Sequence, residues 1–357
     1  MLYVGLDVHY RTTTCCILGE DGRAVKTKTL KGPWHKAVDY LRGLKGDLAV
    51  CFEASVGYGP LYEALVGFCK RVTVAHPGHL RLIFRSKRKN DRVDAQKIAK
   101  LLYLDEVPAV HVPDQDARAW RELIEFRRRS IDKRTKVKNQ LRCLLRANAL
   151  HVPRGVGLWT IKGLAWLEQV ELVTTAARLK REVLLDELAH LKRQTKRVTD
   201  ELDALAAGHP GVALLMTIPG VGPRTAEALV AYVDRPERFA RVNRVPAYFG
   251  IVPSQDASAG VNRLGHITKQ GPATARKLLV EASWQMIRRD PATRAVFDRV
   301  VAGKQDRRKT ALIAVAHRLV RIMHAMLKTG EVYRPTPPES PPEVPPEVPP
   351  EEQADKG

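Results

Sequence analysis

Apolar residues come in short runs near the start of the chain and at helical spacing further on. Residues 2–8 (LYVGLDV), 12–18 (TTTCCIL) and 24–30 (AVKTKTL) read as three strands, with hairpin turn chemistry at Glu20-Asp21-Gly22 between the last two. The spacing predicts an amphipathic helix over 33–44, a strand over 48–53 running into Glu53, a helix from about 59 to 69 and a strand over 71–75. Helical spacing resumes from Asp91 to Leu104, after which Pro108 and Pro113 interrupt it. A long helix is predicted over 114–149 and a second over 177–206, the latter stopped by Gly208-His209-Pro210. Residues 210–330 read as mostly helical with glycine-rich interruptions. From Pro335 the chain repeats Pro-Pro-Glu, which cannot bury a core and predicts an extended, polyproline-like segment.

Three strands in a meander followed by alternating helix and strand is the pattern of a ribonuclease-H-like α/β fold. The expected organisation is therefore an RNase-H-like domain over 1–108 and a helical, coiled-coil-like connector over 109–209. A mainly α domain over 210–330 and a disordered Pro/Glu-rich tail over 331–357 complete it.

Charge narrows the function. Sixty Lys and Arg against 39 Asp and Glu leave a formal +21. The last 27 residues hold seven acids and two bases, so residues 1–330 carry 58 bases against 32 acids. Such an excess points to a polyanion, and nucleic acid fits better than an anionic membrane because no basic helix has a strong aromatic face. Between Arg118 and Arg146 the first long helix bears eleven bases and three acids. Those cations repel one another unless phosphates neutralise them, which makes Arg127, Arg128 and Lys138 candidate phosphate contacts. The five cysteines form no C-x-x-C pair and read as buried thiols of a reducing compartment. Asp7 breaks the first apolar stretch, which argues against a signal peptide, and no segment reads as long enough to span a bilayer; the expectation is a cytoplasmic protein with no membrane partner.

Four carboxylates carry candidate chemistry. Asp7 lies near the end of the first strand, and Glu53 ends a strand that would lie beside it in this fold. Asp91 and Asp94 are three apart at the start of a helix and project from one face. Such a set can gather hard oxygen ligands for Mg²⁺, and two ions ~3.5–4 Å apart can clamp both the attacking and the leaving oxygen of a phosphodiester. Singly each acid has an ordinary reading, and Asp-x-x-Asp is commonly a helix N-terminus favoured by the dipole. Gly5-Leu6-Asp7 followed by a Thr-rich strand also resembles the phosphate hairpin of actin-like sugar kinases. The second Asp-x-Gly strand and adenosine loop of those enzymes are not found.

Further on, Ile218-Pro219-Gly220-Val221-Gly222 between two helical segments is the helix-hairpin-helix pattern. Its glycines, Gly220 and Gly222, let backbone amides approach a DNA phosphate, with Arg224 just beyond; a plain tight turn is the alternative. Next comes a serine-bearing loop, YFGIVPSQDASAG, followed by Arg263, His266 and Lys269. A serine can attack phosphorus and conserve the bond energy for rejoining strands, with nearby cations stabilising the charge. On chemistry alone a turn-forming role for Ser258 is the default.

Taken in order, GLDVH, CFEASVGYG, KNDRVDA, IPGVGPRTA and YFGIVPSQDASAG…GHITKQG resemble the landmarks of the DEDD-type insertion-sequence transposases of the one-ten family, over about residues 2–320. The resemblance implies an N-terminal domain similar to RuvC resolvase, with its acidic metal set on Asp7, Glu53, Asp91 and Asp94. It implies a nucleophilic serine on Ser258, with Ser254 as the fallback because relatives often have two adjacent serines or Ser-Gly there. It further implies DNA as substrate, a coiled-coil region used in homo-oligomer assembly, and in some members a structured guide RNA encoded beside the gene. The competing expectations are a junction-resolving nuclease that uses water and a non-catalytic nucleic-acid scaffold.

Overall fold

The computed structural model describes residues 1–55, 57–83, 90–258 and 261–335, with Ser258, Val261 and Asn262 described by their backbone alone. It divides into two compact units, Met1–Gln115 and Asp116 onward.

In the first unit β1 (Leu2–Val8), β2 (Thr12–Leu18) and β3 (Ala24–Lys31) form the meander, followed by α1 (His35–Arg42), β4 (Leu48–Glu53), α2 (Tyr58–Val66), β5 (Arg71–Ala75), α3 (Pro77–Ile83) and α4 (Asp91–Tyr103). The sheet order is β3-β2-β1-β4-β5, with the meander antiparallel and β4 and β5 parallel to β1. This mixed sheet with helices fits the RNase-H-like expectation. Val4, Leu6, Val50 and Phe52 face a core shared with α1 and α2. The alternate residues Ala49 and Cys51 face α4 through Ile98, Leu101 and Leu102. Gly5 is the point of closest approach: a Cβ there would stand 2.1 Å from the Ala95 carbonyl oxygen and 2.4 Å from the Ala99 nitrogen. Only a residue without a side chain lets α4 lie so near the middle strand.

The second unit is mainly helical. It opens with α5 (Gln115–Ala147), α6 (Ile161–Gln169), α7 (Thr175–Ala207), α8 (Pro210–Leu215) and α9 (Pro223–Val233). After α10 (Arg244–Tyr248) come the antiparallel strands β6 (Pro253–Ser258) and β7 (Val261–Ile267), then α11 (Ala273–Arg289), α12 (Pro291–Val301) and α13 (Arg308–Thr329). Helices α5 and α7, 33 residues each, run antiparallel: Trp120 lies beside His209, Arg127 bonds Thr199, and Leu144 clusters with Ala177. From Thr225 to Val233 helix α9 is buried on every side, as a helix at the centre of a core must be.

Three expectations are corrected. The serine segment is not a free loop: Pro253–Ser258 is a strand paired with β7. Cys143 is exposed rather than buried. Gln305–Thr329 does reach the length and apolarity of a membrane span, but half of that stretch is buried, and Ala316, Leu319, Val320 and Met323 sit in the main core of this unit. The Pro-Pro-Glu tail beyond Pro335, the Ala259-Gly260 end of the serine segment and Lys89 of KNDRVDA lie outside the described residues.

Candidate active site and nucleic-acid interface

Register brings the first carboxylates together. One step beyond the paired Leu6 and Phe52 come Asp7 and Glu53, at the same ends of adjacent parallel strands. Side chains alternate along a strand, so Asp7 shares the α4-facing side with Gly5, and Glu53 shares it with Cys51. Helix α4 begins there. Asn90 caps it by accepting the Arg92 amide at 3.0 Å, which leaves Asp91 and Asp94 in the first turn.

Asp7, Asp91 and His9 each offer a ligand atom within 4.8 Å of the others. His9 Nε2 is 3.2 Å from Asp7 Oδ2 and 3.7 Å from Asp91 Oδ1. Burial pushes the Asp7 carboxyl above its ordinary range; His9 pulls the other way, and Asp91 and then Asp94 push further. Asp94 is thus in electrical contact with Asp7, although its own carboxylate lies 3.8 Å from the Lys97 ammonium, and neither it nor Glu53 belongs to the three-residue cluster. The arrangement can hold a metal ion. His9 was missed by the sequence reading; a lone histidine after a strand carries no signal until the helix that faces it is in place.

The serine arm has a rigid root. Gly250 (φ +65°), Lys269 (φ +55°) and Gly271 (φ +69°) all take left-handed backbone. A Cβ on Gly271 would be 1.9 Å from the Tyr248 carbonyl oxygen, and one on Gly250 would be 2.3 Å from that of Gln270. Arg276 Nη1 ties the two crossing segments by donating to the Phe249 oxygen at 3.0 Å and the Gln270 oxygen at 2.7 Å. From this root β6 and β7 project, exposed from Pro253 to Ala257 and from Arg263 to His266, with Ser258 at the far end of β6. Ser254 lies at the root end, its Oγ so close that a Cβ on Gly265 would be 2.5 Å away. Arg263, opposite Asp256 in the register, and Lys269 are exposed.

The expected phosphate contacts divide. Gly220 (φ +90°) is packed on α11, where a Cβ would meet Gln285 at 2.8 Å, whereas Gly222 faces open space. Arg224 is taken up by Asp203 and, at 3.2 Å, by the buried Glu227. Arg127 donates to Thr199 at 2.9 Å, Arg128 pairs with Asp132 at 3.1 Å, and Lys138 lies 4.9 Å from the centre of the Trp159 ring. Arg129, Lys133 and Lys136, which follow at helical spacing on one exposed face of α5, have no acidic partner among the described residues. Which bases of α5 point outward depends on where α7 packs, and the sequence does not show that.

Known proteins agree with both units. A family model described as a transposase, of the DEDD type of IS110, matches residues 4–148, and one described as transposase IS116/IS110/IS902 family matches residues 212–298. The transposase for insertion sequence element IS1111A of Coxiella burnetii is 27% identical, covering 93% of this chain and 91% of that protein. A probable family 20 transposase of Pseudomonas aeruginosa is 27% identical over 69% of this chain and 74% of its own. The transposase for insertion sequence element IS1328 of Yersinia enterocolitica is also 27% identical, over 74% and 78%. With an acidic cluster in the unit that the first model covers and relatives that align along nearly its whole length, the chain belongs to the IS110 family of DEDD transposases, enzymes that cut DNA and rejoin it.

Proposed function

We propose that this transposase moves an insertion sequence by Mg²⁺-dependent cleavage and exchange of DNA strands, through a transient phosphoserine bond between Ser258 and DNA. The observation that carries the reading is the convergence of Asp7 and Asp91, with Asp94 beside them, on the α4 face of the sheet. Carboxylate oxygens dominate the donor set and repel one another until a cation is present, which suits a hard divalent ion held by Asp7, Glu53, Asp91 and Asp94. When bound, a pair of such ions supplies Lewis-acid polarisation of the scissile phosphate and neutralises charge on the attacking and leaving oxygens.

The chain's own groups do the rest. The Ser258 hydroxyl attacks phosphorus; the Oγ–P bond forms as the bond to the departing strand's oxygen breaks. The proton lost by the serine is balanced by the one that the departing oxygen gains. A hydroxyl of the incoming strand then attacks the same phosphorus and restores the serine, so no bond is spent on hydrolysis. The glycine-locked root supports this role, because it fixes where the arm points while leaving its strands exposed.

Around that chemistry, the turn at Gly220 and Gly222 acts as a helix-hairpin-helix contact to a phosphate, supported by the open space at Gly222. Arg263 and Lys269 add charge beside the arm. The antiparallel α5 and α7 form a coiled-coil-like connector over 109–209, between an RNase-H-like domain over 1–108 and a transposase domain over 210–330, and serve assembly of a homo-oligomer. A structured guide RNA as a further partner rests on the family resemblance and the surplus of positive charge.

The test is to trap the protein on a labelled DNA junction with Mg²⁺ and any RNA that co-purifies. A denaturation-resistant adduct is expected from the parent and not from Ser258→Ala, and Asp7→Asn should leave the DNA uncut. Cleavage by both serine forms without an adduct would sink the covalent step in favour of a water-using nuclease. An adduct lost only in Ser254→Ala would move the role to that serine.

A further inference from the structure

The second unit has a feature that neither the acids nor the serine arm uses. We propose that the face formed by α11, α12 and the start of α13 is a pocket for one unpaired nucleotide, stacked on Trp284 and held through its phosphate by Arg288 and Arg308. The proposal rests on the reading of this chain as one that handles DNA strands during exchange.

A cavity of about 380 Å³ is lined by Trp284, Arg288, Arg294, Phe297, Asp298 and Arg308, among others. A neighbouring one of about 370 Å³ shares Trp284, Arg288 and Arg308 and adds Gln285 and Glu281. Each is within the ~300–1,000 Å³ of small-molecule sites and far too small for a duplex.

The charge on this face is unbalanced in a specific way. Asp298 is already taken by Arg294 at 2.7 Å, and Glu281 by Lys277 at 3.7 Å. No acid among the described residues pairs with Arg288 or Arg308. Arg308 instead lies 5.9 Å from the centre of the Trp284 ring and 5.8 Å from that of Phe297, at the outer limit of a cation–π contact. Trp284 is braced by Phe297, with ring centres 5.7 Å apart and planes at 55°, yet it remains only half-buried. A supported indole beside two arginines free of acids is the combination that stacks a base and neutralises its phosphate. Stacking of this kind tolerates any base, which suits an enzyme that meets many sequences.

Position supplies a second reason. Gly220 packs directly on α11, its missing Cβ 2.8 Å from Gln285 and 2.9 Å from the Met286 nitrogen. Gln285 also lines the second cavity, one residue from Trp284. A strand whose phosphate rests on the turn at Gly220 and Gly222 therefore lies against the same helix as the pocket. Strand exchange necessarily exposes unpaired nucleotides, and a base already out of its stack enters such a pocket most readily.

The experiment compares binding of the full chain to a labelled DNA duplex, to the same duplex with a bulge of unpaired thymines, and to the RNA counterparts of both. The parent should prefer the bulged form, and Trp284→Ala and Arg288→Gln should lower that affinity about tenfold while leaving the plain duplex unchanged. Trp284→Phe should recover most of the loss, which also guards against a folding defect; the Arg288 side chain is exposed, so its variant carries the test independently. A parent that binds the duplex without preferring the bulge, or variants that lose both probes equally, would overturn the pocket alone. A parent that binds no duplex would overturn the DNA-handling reading beneath it. Preference for bulged RNA over bulged DNA, or the reverse, supports the pocket and assigns its occupant to the guide or to the exchanging strand.

Discussion

Gly5 works by what it lacks. Both atoms that a Cβ would strike, the Ala95 oxygen and the Ala99 nitrogen, belong to the α4 backbone and cannot swing aside as a side chain would. Gly5→Ala must therefore push α4 away from β1, and Asp91 with it. We expect a loss of stability on the order of 3 kcal/mol and weaker binding of Mn²⁺ in a titration; unchanged melting and metal affinity would show that the contact is soft. Glu227 illustrates a different residue-scale effect. Its side chain is 2% exposed, and burial pushes its carboxyl up to about 7 against the pull of Arg224 and Arg127, with Asp203 adding to the rise. The folded chain thus keeps a proton that the unfolded chain releases at about 4.5, so the stability it contributes is complete below that pH and is lost as pH rises through about 7. Glu227→Gln removes that titration. Relative to the parent, its stability should rise between those two pH values by at most about 3 kcal/mol, and parallel melting curves across that range would refute this. The four acids proposed for the active site are legible in order along the chain, because each lies at or next to the end of a strand or in the first turn of a helix. His9 and the Arg224–Glu227 pair were not, because both depend on packing between distant segments.

Among the elements, the serine arm is the one that the hydrophobic pattern conceals. Strands β1, β2 and β4 were read to the residue, since each presents a buried apolar face. By contrast PSQDAS and VNRLGHI show no alternation, because most of both strands lies in solvent and neither face is selected to be apolar. A lone two-stranded hairpin is marginal in water, so this one depends on its root. Gly271→Ala combines a φ of +69° with a Cβ 1.9 Å from the Tyr248 oxygen, and it should loosen the crossing of the two segments without touching the serine. The expected phenotype is loss of the covalent adduct with duplex binding retained, as for Ser258→Ala, but with an added fall in protection of the Thr268 and Lys269 amides from hydrogen exchange. Those amides bond the Val252 and Gly250 oxygens at 2.9 and 3.1 Å, so intact protection would mean that the root does not hold the arm.

For the molecule as a whole, a formal +21 describes the attraction to nucleic acid but not which charges deliver it. On α5 many of the bases are committed within the chain. Arg121 donates to the Ala231 oxygen at 2.7 Å and the Tyr232 oxygen at 3.3 Å, closing the end of α9, while Arg127, Arg128 and Lys138 have the partners already named. A base bound in this way is not free to reach a phosphate and displace a cation condensed on the DNA, so it adds little to the dependence of binding on salt. Arg129, Lys133 and Lys136 remain exposed along one face and are free to do so. Each of these that meets a phosphate should contribute about 0.9 to the slope of log K against log salt. Lys133→Gln and Lys136→Gln should each flatten that slope with little change in melting temperature, whereas Arg121→Gln should lower the melting temperature and leave the slope where it was. If Arg121→Gln flattened the slope at unchanged stability, the division of α5 into a structural side and a phosphate side would be wrong. The whole helix would then act as the uniformly basic surface that its composition suggests.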